Sequence, residues 1–400
     1  MEDAKRGLKS AVGSALRYTG LLCFGRAAGT EGEEKAGRTI AEILKGLGYE
    51  VKEEKFSILF PPWTWTKGAP FFSALFLFIV WMTFAEMAWV SLLFSILYLL
   101  GLICWERIWF WAGGRFVSND LSRGWRQSGN ISACLPAGRE GRVLYLMAHY
   151  DSKSQTFNLY LRTILYLIGG ISGGLFSLWA GAYALSGRMG IPETRIPAVF
   201  VASFLLSLAV NLLFLFSRSG NRSEGALDNA SGVGVLLEAA SRWSVERVKG
   251  IDLRFVFTGA EEMGLLGSLM YMRRWGKTMA VENARLINID SVGKEGKIRV
   301  CSTGRAGRRW VGEILRFARD RGLALRPLRF HKGVMMDHLP FARLGIPSVS
   351  FTSISTEGWH LHSSRDTLAL VRSEGLTEMV NWTLALVGAL STQNPQRKMI

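Results

Sequence analysis

Cysteine is scarce in this chain, and a long apolar run is missing from its N-terminal stretch. The four cysteines lie far apart, at Cys23, Cys104, Cys134 and Cys301, and no CxxC pair occurs. Disulfide scaffolds and cysteine zinc sites need regularly spaced cysteines, so the composition argues against both. The N-terminal sequence MEDAKRGLKSAVGSALRYTG lacks a sustained apolar core, and we therefore expect no cleavable signal peptide.

Acidic residues are also in short supply. The chain carries 32 Asp and Glu against 48 Lys and Arg, which gives a formal net charge of +16. The basic residues are scattered, and their clusters are no longer than Arg273-Arg274 or Arg308-Arg309. We therefore expect no nucleic-acid partner and, instead, a solvated basic face near anionic lipid. Because 49% of the residues are hydrophobic, an intrinsically disordered chain is excluded.

Two long apolar blocks predict membrane-spanning helices. The block Ala69–Trp105 contains one charge, Glu86. It is too long for a single span and sufficient for two short ones that turn near this glutamate. The segments Leu161–Leu185 and Ile196–Phe216 form a second pair, joined by SGRMGIPETR. We expect four transmembrane helices in two hairpins, because a soluble core does not need four such stretches.

Strand and helix patterns alternate through the rest of the chain. Thr30 and Glu33 fit a capping box that opens an amphipathic helix ending at Gly48. The predicted strands are 143–148, 253–258, 286–289, 298–301 and 346–351, and the later predicted helices are 231–244, 265–275, 310–321 and 377–390. This alternation favours an α/β fold with a mostly parallel mixed sheet flanked by helices.

Acids and histidines recur at the ends of these predicted strands. They are His149 and Asp151 after the strand 143–148, Glu261 and Glu262 after 253–258, Asp290 after 286–289, His362 in the loop after 346–351, and Asp228 just before the helix 231–244. Because functional sites in open α/β sheets form beyond the carboxyl ends of the strands, we expect these side chains to meet.

The residue types suit a two-metal centre. Imidazoles and carboxylates are zinc ligands, and a carboxylate can bridge two ions. The expected metal ligands are His149, Asp228, Glu262, Asp290 and His362, with two zinc ions as the cofactors. Adjacent side chains normally point apart, so Glu261 can serve as the base for an attacking water, while Asp151 can accept the second N–H of His149. His331, His338 and His360 are expected in loops or outside the ligand set.

The motifs resemble, in order, those of the M28 family of zinc aminopeptidases. The similar strings are AHYDS, LDNASGVGVLLEAA, FTGAEEMGLLGS, NIDSVG, MDHLPFARLGIPSVSF and HSSRDT, preceded by GTEGEEKAGRTIAEILKGLGYEVKEEKF. Apart from the apolar insertions, the resemblance covers nearly all of the chain. It implies a zinc-exopeptidase-like fold and a membrane-embedded enzyme that hydrolyses the N-terminal residues of peptides.

The resemblance also implies a role for each residue. His149 and Asp290 would hold one zinc, Glu262 and His362 the other, with Asp228 as the bridge, Glu261 as general base, Asp151 orienting His149, and Asp366 in the position that follows the last ligand. In this interpretation Glu261 takes a proton from the attacking water and passes it to the leaving amine.

The insertions predict a definite domain order and membrane topology. The expected order is residues 1–68 as the first part of the peptidase domain, 69–106 as hairpin 1, 107–160 with the first metal strand, 161–217 as hairpin 2, and 218–400 with the remaining ligands. An even number of spans must separate His149 from Asp228 if they meet at one site. The expected peptidase side carries Lys67, Arg107, Arg115, Arg162, Arg218 and Arg222 near the spans, and the far side carries Arg188 and Arg195. The positive-inside rule therefore predicts a cytoplasmic peptidase domain.

Two other functions compete with the peptidase. A glutaminyl-cyclase-like aminoacyltransferase with one zinc is suggested by HYDSK and by Trp359, although the intact segment Asp228–Gly232 favours the peptidase. A catalytically dead membrane scaffold is the other alternative, against which the complete ligand set with its base argues.

Overall fold

The chain divides into two units that alternate along the sequence. The computed structural model describes residues 14–60, 63–84, 86–135, 141–186, 198–294, 296–328 and 335–392. The α/β unit comprises residues 1–59, 113–154 and 220–400, and the helical unit comprises residues 60–112 and 155–219. The expected ligands all belong to the α/β unit, whereas the apolar blocks fall in the helical unit.

The described elements follow one another in this order. The strands are β1 (Glu50–Ile58), β2 (Val117–Ser118), β3 (Arg126–Leu135), β4 (Arg142–His149), β5 (Ile251–Thr258), β6 (Arg285–Ile289), β7 (Ile298–Cys301), β8 (Arg326–Pro327) and β9 (Ser348–Ser353). Two-residue strands at Ser154–Gln155 and Ser219–Gly220 lie where the chain passes from one unit to the other. The helices are α1 (Ser14–Gly20), α2 (Glu31–Gly46), α3 (Trp63–Thr83), α4 (Ala88–Gly113), α5 (Leu159–Ser186), α6 (Ala198–Leu215), α7 (Ser231–Val245), α8 (Leu266–Val281), α9 (Gly304–Asp320), α10 (Leu339–Arg343) and α11 (Ser373–Thr392).

The described strands of the α/β unit form one nine-stranded mixed sheet in the order β8-β7-β9-β6-β4-β5-β3-β1-β2. Its centre is parallel: β4 pairs with both β5 and β6, and β9 pairs with β6. Nearly every side chain of β4 is buried, as a strand covered on both faces requires. The sheet confirms the predicted α/β fold and brings the carboxyl ends of β4, β5 and β6 to one edge.

The antiparallel half of the sheet was not predicted from the residue patterns. Strand β3 pairs antiparallel with β5 on one side and with β1 on the other. Its sequence RQSGNISACL is polar and has no clear apolar alternation, because residues such as Asn130 turn towards buried polar partners.

The opening helix confirms one half of the predicted capping box and corrects the other. The Thr30 hydroxyl accepts the Glu33 N–H at 3.4 Å, as an N-cap does. The Glu33 carboxylate, however, accepts the N–H of Gly29, while the Thr30 N–H donates to the Ala27 carbonyl. The helix ends at Gly46, before the predicted Gly48.

A close helix contact fixes the element that follows Asp228. Helix α7 begins at Ser231, as predicted, and packs against α1. A Cβ atom at Gly234 would lie 2.3 Å from the Thr19 hydroxyl oxygen and 2.6 Å from the Ala15 carbonyl oxygen, so only glycine permits this approach. The N-terminal segment thereby holds the start of α7, beside the site.

The helical unit is built from α3, α4, α5 and α6. Among the described residues three of its helical segments are long and apolar enough to cross a membrane, namely Ala88–Trp105 within α4, all of α5 and all of α6, while α3 has a shorter apolar stretch from Lys67 to Thr83. Small residues allow these helices to pack closely. At Gly173, for example, a Cβ atom would lie 2.2 Å from the Tyr98 hydroxyl oxygen, which is too close for any larger residue. Apolar side chains such as Ile103 and Ile171 point outwards and are exposed. The predicted turn at Glu86 lies between α3 and α4, and the segment with Arg188 and Arg195 lies outside the described residues.

We predict that core packing around the central strands dominates the stability of the α/β unit. Val256 on β5 is fully buried in an apolar cluster, whereas Val281 at the end of α8 is 82% exposed. Val256→Ala should destabilise the protein by about 2 kcal/mol, since it removes buried methyl groups and leaves a cavity. Melting of the detergent-purified chain, followed by tryptophan fluorescence, should show a fall of several degrees for Val256→Ala and almost none for Val281→Ala. Equal shifts in the two variants would contradict the assigned core.

Candidate metal centre

The structure brings the predicted site residues together at the carboxyl edge of the central strands. Strand β4 ends at His149, a turn after β5 carries Glu261 and Glu262, and Asp290 follows β6. Asp228 lies in the kinked segment 226–230 before α7, and His362 lies in the loop after β9. All of these side chains are buried or nearly so.

Asp228 stands between the two histidines. Its Oδ1 atom lies 3.2 Å from His149 Nε2, and its Oδ2 atom lies 3.0 Å from His362 Nε2. Asp290 Oδ1 lies 3.7 Å from His149 Nε2, and Glu262 Oε1 lies 3.1 Å from His362 Nε2. Two groups of three potential ligands therefore share Asp228, and within each group the ligand atoms lie within 4.8 Å of one another.

The donor set fits a divalent cation such as zinc. Each group offers one imidazole nitrogen and two carboxylates, which are common zinc ligands. Burying several carboxylates together is costly unless positive charge offsets them.

Asp151 supports both the first histidine and the Glu261-Glu262 turn. Its Oδ1 atom lies 3.4 Å from His149 Nδ1 and also accepts the N–H of Glu261 at 3.1 Å. Its Oδ2 atom accepts the N–H of Glu262 at 3.1 Å. His149 Nδ1 lies closer to the backbone carbonyl oxygen of Asp151, at 3.2 Å, and its Nε2 faces the neighbouring carboxylates of Asp228 and Asp290. The bonds to the turn were not foreseen, because they join segments 110 residues apart.

Asp366 supports the bridging position in a similar way. Its two carboxylate oxygens accept the N–H groups of Leu227 at 2.7 Å and Asp228 at 3.2 Å. Burial raises the pKa of Asp366 to about 7, against the lowering effect of the Leu227 N–H. The resemblance to the M28 family indicated this position. In the structure, the Asp366 carboxylate binds the backbone N–H groups of the segment that carries Asp228, and this is a physical reason for its presence.

The two adjacent glutamates experience opposite electrostatic environments. Burial raises the pKa of Glu261 well above its usual range; His149 opposes this shift, and the Glu262 carboxylate adds to it. Burial acts on Glu262 too, but the charges of His362 and Lys153 outweigh it and bring its pKa to about 2. Lys153 Nζ lies 2.6 Å from Glu262 Oε2. Neighbouring carboxylates whose pKa values are driven apart are suited to different chemical roles.

An arginine that the residue patterns did not reveal joins three segments behind the site. Arg26 is fully buried, and its Nε donates to the Tyr150 carbonyl at 2.7 Å. One terminal nitrogen donates to the Gly225 carbonyl at 3.0 Å, and the other donates to carbonyls that include Glu224. Tyr150 and Gly225 flank the residues inserted between β4 and α7, so Arg26 ties the two ends of the α/β chain together across that insertion.

The other two histidines that the structure describes, His338 and His360, lie outside the group. His338 is buried and its Nδ1 lies 2.6 Å from the Ser350 hydroxyl oxygen, whereas His360 is half-buried in a helical turn before His362. His331 lies outside the described residues. The preference for His362 over His360 agrees with the geometry, because His362 contacts both Asp228 and Glu262.

The fold is that of the zinc exopeptidases. A zinc aminopeptidase from Bacillus subtilis, BSAP, superposes with a TM-score of 0.53 over 94% of both chains at 17% identity. A glutaminyl cyclase from Fimbriiglobus ruber superposes equally well, with a TM-score of 0.53 over 96% of this chain and 95% of that chain at 15% identity.

Sequence comparison matches part of the chain to one peptidase family. Residues 207–387 match the model of Peptidase family M28, which is the family that the motifs resemble. Aminopeptidase YwaD from Bacillus subtilis (strain 168) is 31% identical over 175 residues, which are 41% of this chain and 37% of that protein. The chain thus aligns with little more than a third of this curated relative. The family match includes Asp228, Glu261, Glu262, Asp290 and His362, while His149 lies before it.

Proposed function

We propose that this chain is a membrane-anchored, zinc-dependent aminopeptidase. The observation that carries the proposal is the position of Asp228, whose two oxygens each face a histidine, with Glu262 and Asp290 alongside. This arrangement is suited to a carboxylate bridging two ions. The match to Peptidase family M28 and the similarity to aminopeptidase YwaD favour the hydrolysis of N-terminal residues from peptides.

In this proposal the five ligands divide into two overlapping sets. His149, Asp228 and Asp290 would hold one zinc, and Asp228, Glu262 and His362 would hold the other. Bound zinc supplies a Lewis acid that polarises the peptide carbonyl and makes a water molecule more acidic. Asp151 keeps His149 in the orientation that presents Nε2.

Glu261 is the proposed general base. Its Oε2 atom lies 3.9 Å from His149 Nε2, so the carboxylate lies at the edge of the first ligand group without belonging to it. Glu261 takes a proton from the attacking water as the water oxygen bonds to the carbonyl carbon. It then donates that proton to the amine nitrogen as the peptide C–N bond breaks.

The helical unit is the proposed membrane anchor, with four spans and the peptidase side in the cytoplasm. Support comes from the three membrane-length apolar helices, from the apolar stretch of α3, and from their outward apolar side chains. Because β4 and α7 belong to the same α/β unit, the chain between them must leave the membrane on the side on which it entered. The bias of basic residues towards the peptidase side gives the orientation.

We predict that Glu261→Gln abolishes turnover without removing the metal. The amide cannot accept the proton, so kcat should fall by about 10²- to 10⁴-fold, while zinc content stays at the wild-type value. Hydrolysis of aminoacyl fluorogenic amides and elemental analysis of the detergent-purified chain would measure the two effects. Glu246→Gln, on an exposed glutamate after α7, is the matched control and should keep full activity.

The same assay separates the peptidase from its competitors. An aminopeptidase releases a free amino acid, whereas a glutaminyl cyclase releases ammonia and leaves a cyclised N-terminus. Ammonia release from N-terminal glutamine by the wild-type chain, without amino-acid release, would overturn the proposal in favour of the cyclase. Full peptidase activity in Glu261→Gln would overturn the role of this base.

We predict two zinc ions per chain. His149→Ala and His362→Ala should each lower the zinc content to about one ion, since each removes a ligand of a single ion, and Asp228→Ala should lower it further. His360→Ala is the control because it removes a histidine two residues from His362 without touching either ligand group. One ion in the wild-type chain would support the single-zinc alternative, and none would support the scaffold.

The membrane topology predicts a defined pattern of cysteine labelling. Gly190→Cys, in the segment with Arg188 and Arg195, should react with an impermeant maleimide in right-side-out vesicles. Arg308→Cys, on the exposed surface of α9, should react only after the vesicles are opened. The wild-type chain provides the background labelling. The opposite pattern would reverse the orientation, and labelling of both sites in sealed vesicles would contradict a lipid barrier between them.

A further inference from the structure

The turn that carries Glu261 and Glu262 is held by side-chain acceptors on four successive backbone N–H groups. Gly259 donates to Asn130 Oδ1 at 3.3 Å, and Ala260 donates to Glu33 Oε1 at 3.0 Å. The next two N–H groups, those of Glu261 and Glu262, donate to the carboxylate of Asp151. The N–H groups on this side of the turn therefore depend on the three acceptor side chains, while the carbonyls of Ala260 and Glu261 accept backbone N–H groups further along the chain.

Backbone strain makes this support necessary. Ala260 has a φ of +50°, in the left-handed region that side chains with a Cβ atom seldom adopt. Such a conformation persists when surrounding contacts determine it. The Ala260 N–H bond to Glu33 is therefore made at the residue where the turn is strained, immediately before Glu261.

Glu33 is itself rigidly held. It is only 2% exposed, its Oε1 atom accepts the Ser128 hydroxyl at 2.6 Å, and its Oε2 atom accepts the Gly29 N–H at 2.6 Å. A Cβ atom at Gly259 would lie 2.6 Å from Glu33 Oε1 and 2.5 Å from Ser128 Oγ, so the carboxylate packs directly against the turn. Three donors from separate segments meet on this one carboxylate.

A helix-capping role alone does not explain this placement. Thr30 caps α2 with its own hydroxyl, and the Glu33 carboxylate does not bond to the Thr30 N–H. It reaches instead to Ala260, 227 residues away in sequence. The start of α2 therefore carries two side chains with separate roles. Thr30 caps the helix, whereas Glu33 binds the turn that carries Glu261.

We propose that Glu33 is a positioning residue for the general base: through the Ala260 N–H it fixes the backbone from which the Glu261 carboxylate projects towards the ligand groups. This inference rests on the proposed function of Glu261. Asp151 still holds the N–H groups of Glu261 and Glu262 when Glu33 is removed. Because Ala260 directly precedes Glu261, the loss of its bond to Glu33 should disturb the base more than the metal ligand one residue further on.

The test compares Glu33→Ala with Thr30→Ala in the full-length, detergent-purified, zinc-loaded chain. Both substitutions weaken the start of α2, and both should lower Tm. Glu33→Ala should lower kcat by about 10- to 100-fold, because small misplacements of a catalytic group are costly, while KM and zinc content remain near the wild-type values. Thr30→Ala should change kcat by less than about twofold, since its contacts do not reach the turn.

Glu33→Gln keeps the test decisive if the alanine variant does not fold. An amide has one acceptor oxygen and can satisfy only one of the two backbone N–H groups that now bond to different carboxylate oxygens. An intermediate loss of kcat at unchanged zinc content is expected. Wild-type kcat in Glu33→Gln, or equal losses of kcat in Glu33→Ala and Thr30→Ala, would overturn the positioning role.

These outcomes are distinct from failure of the proposed function. If the wild-type chain shows no chelator-sensitive aminopeptidase activity, the proposed function is wrong and the role of Glu33 falls with it. If the wild-type chain is active, Glu261→Gln is inactive and Glu33→Ala behaves like Thr30→Ala, only the role of Glu33 is wrong. Loss of zinc in Glu33→Ala would also overturn it, because the residue would then support the ligands instead of the base.

Discussion

Mutual repulsion among four buried carboxylates is the constraint around which the α/β unit is organised. Asp228, Glu261, Glu262 and Asp290 lie in one cluster, where little water is present to screen their charges. A folded chain tolerates such a group when imidazoles, cations and backbone N–H groups offset the charge. The strand ends, the kinked segment before α7 and the loop after β9 all contribute to this balance.

A surrounding layer of side chains then holds the cluster in place. Asp151, Asp366 and Glu33 each accept backbone N–H groups from the segments that carry the proposed ligands and the proposed base. A carboxylate is well suited to this task because its two oxygens can bind two separate donors. Metal sites commonly depend on such outer contacts to orient their ligands, so the geometry of this centre is a property of the whole α/β unit.

The inserted helices also require the α/β unit to hold together the two chain ends that flank them. Residues 155–219 belong to the helical unit and separate the segment of His149 from that of Asp228. A long insertion is tolerated thermodynamically when the chain ends that flank it are held together. Arg26 provides this connection, since its buried guanidinium donates to carbonyls on both sides of the insertion, including Tyr150 and Gly225.

The sequence by itself determined the central strands and which acids and histidines follow them. The buried strand β4, the helix α7 and the acids and histidines at the strand ends are predictable because apolar runs and turn residues are local signals. Only the tertiary structure decided the antiparallel strand β3 and the partners of Arg26 and Glu33. The Arg26–Tyr150 and Glu33–Ala260 bonds join residues 124 and 227 positions apart, and a polar residue that will be buried against a distant backbone group carries no local mark.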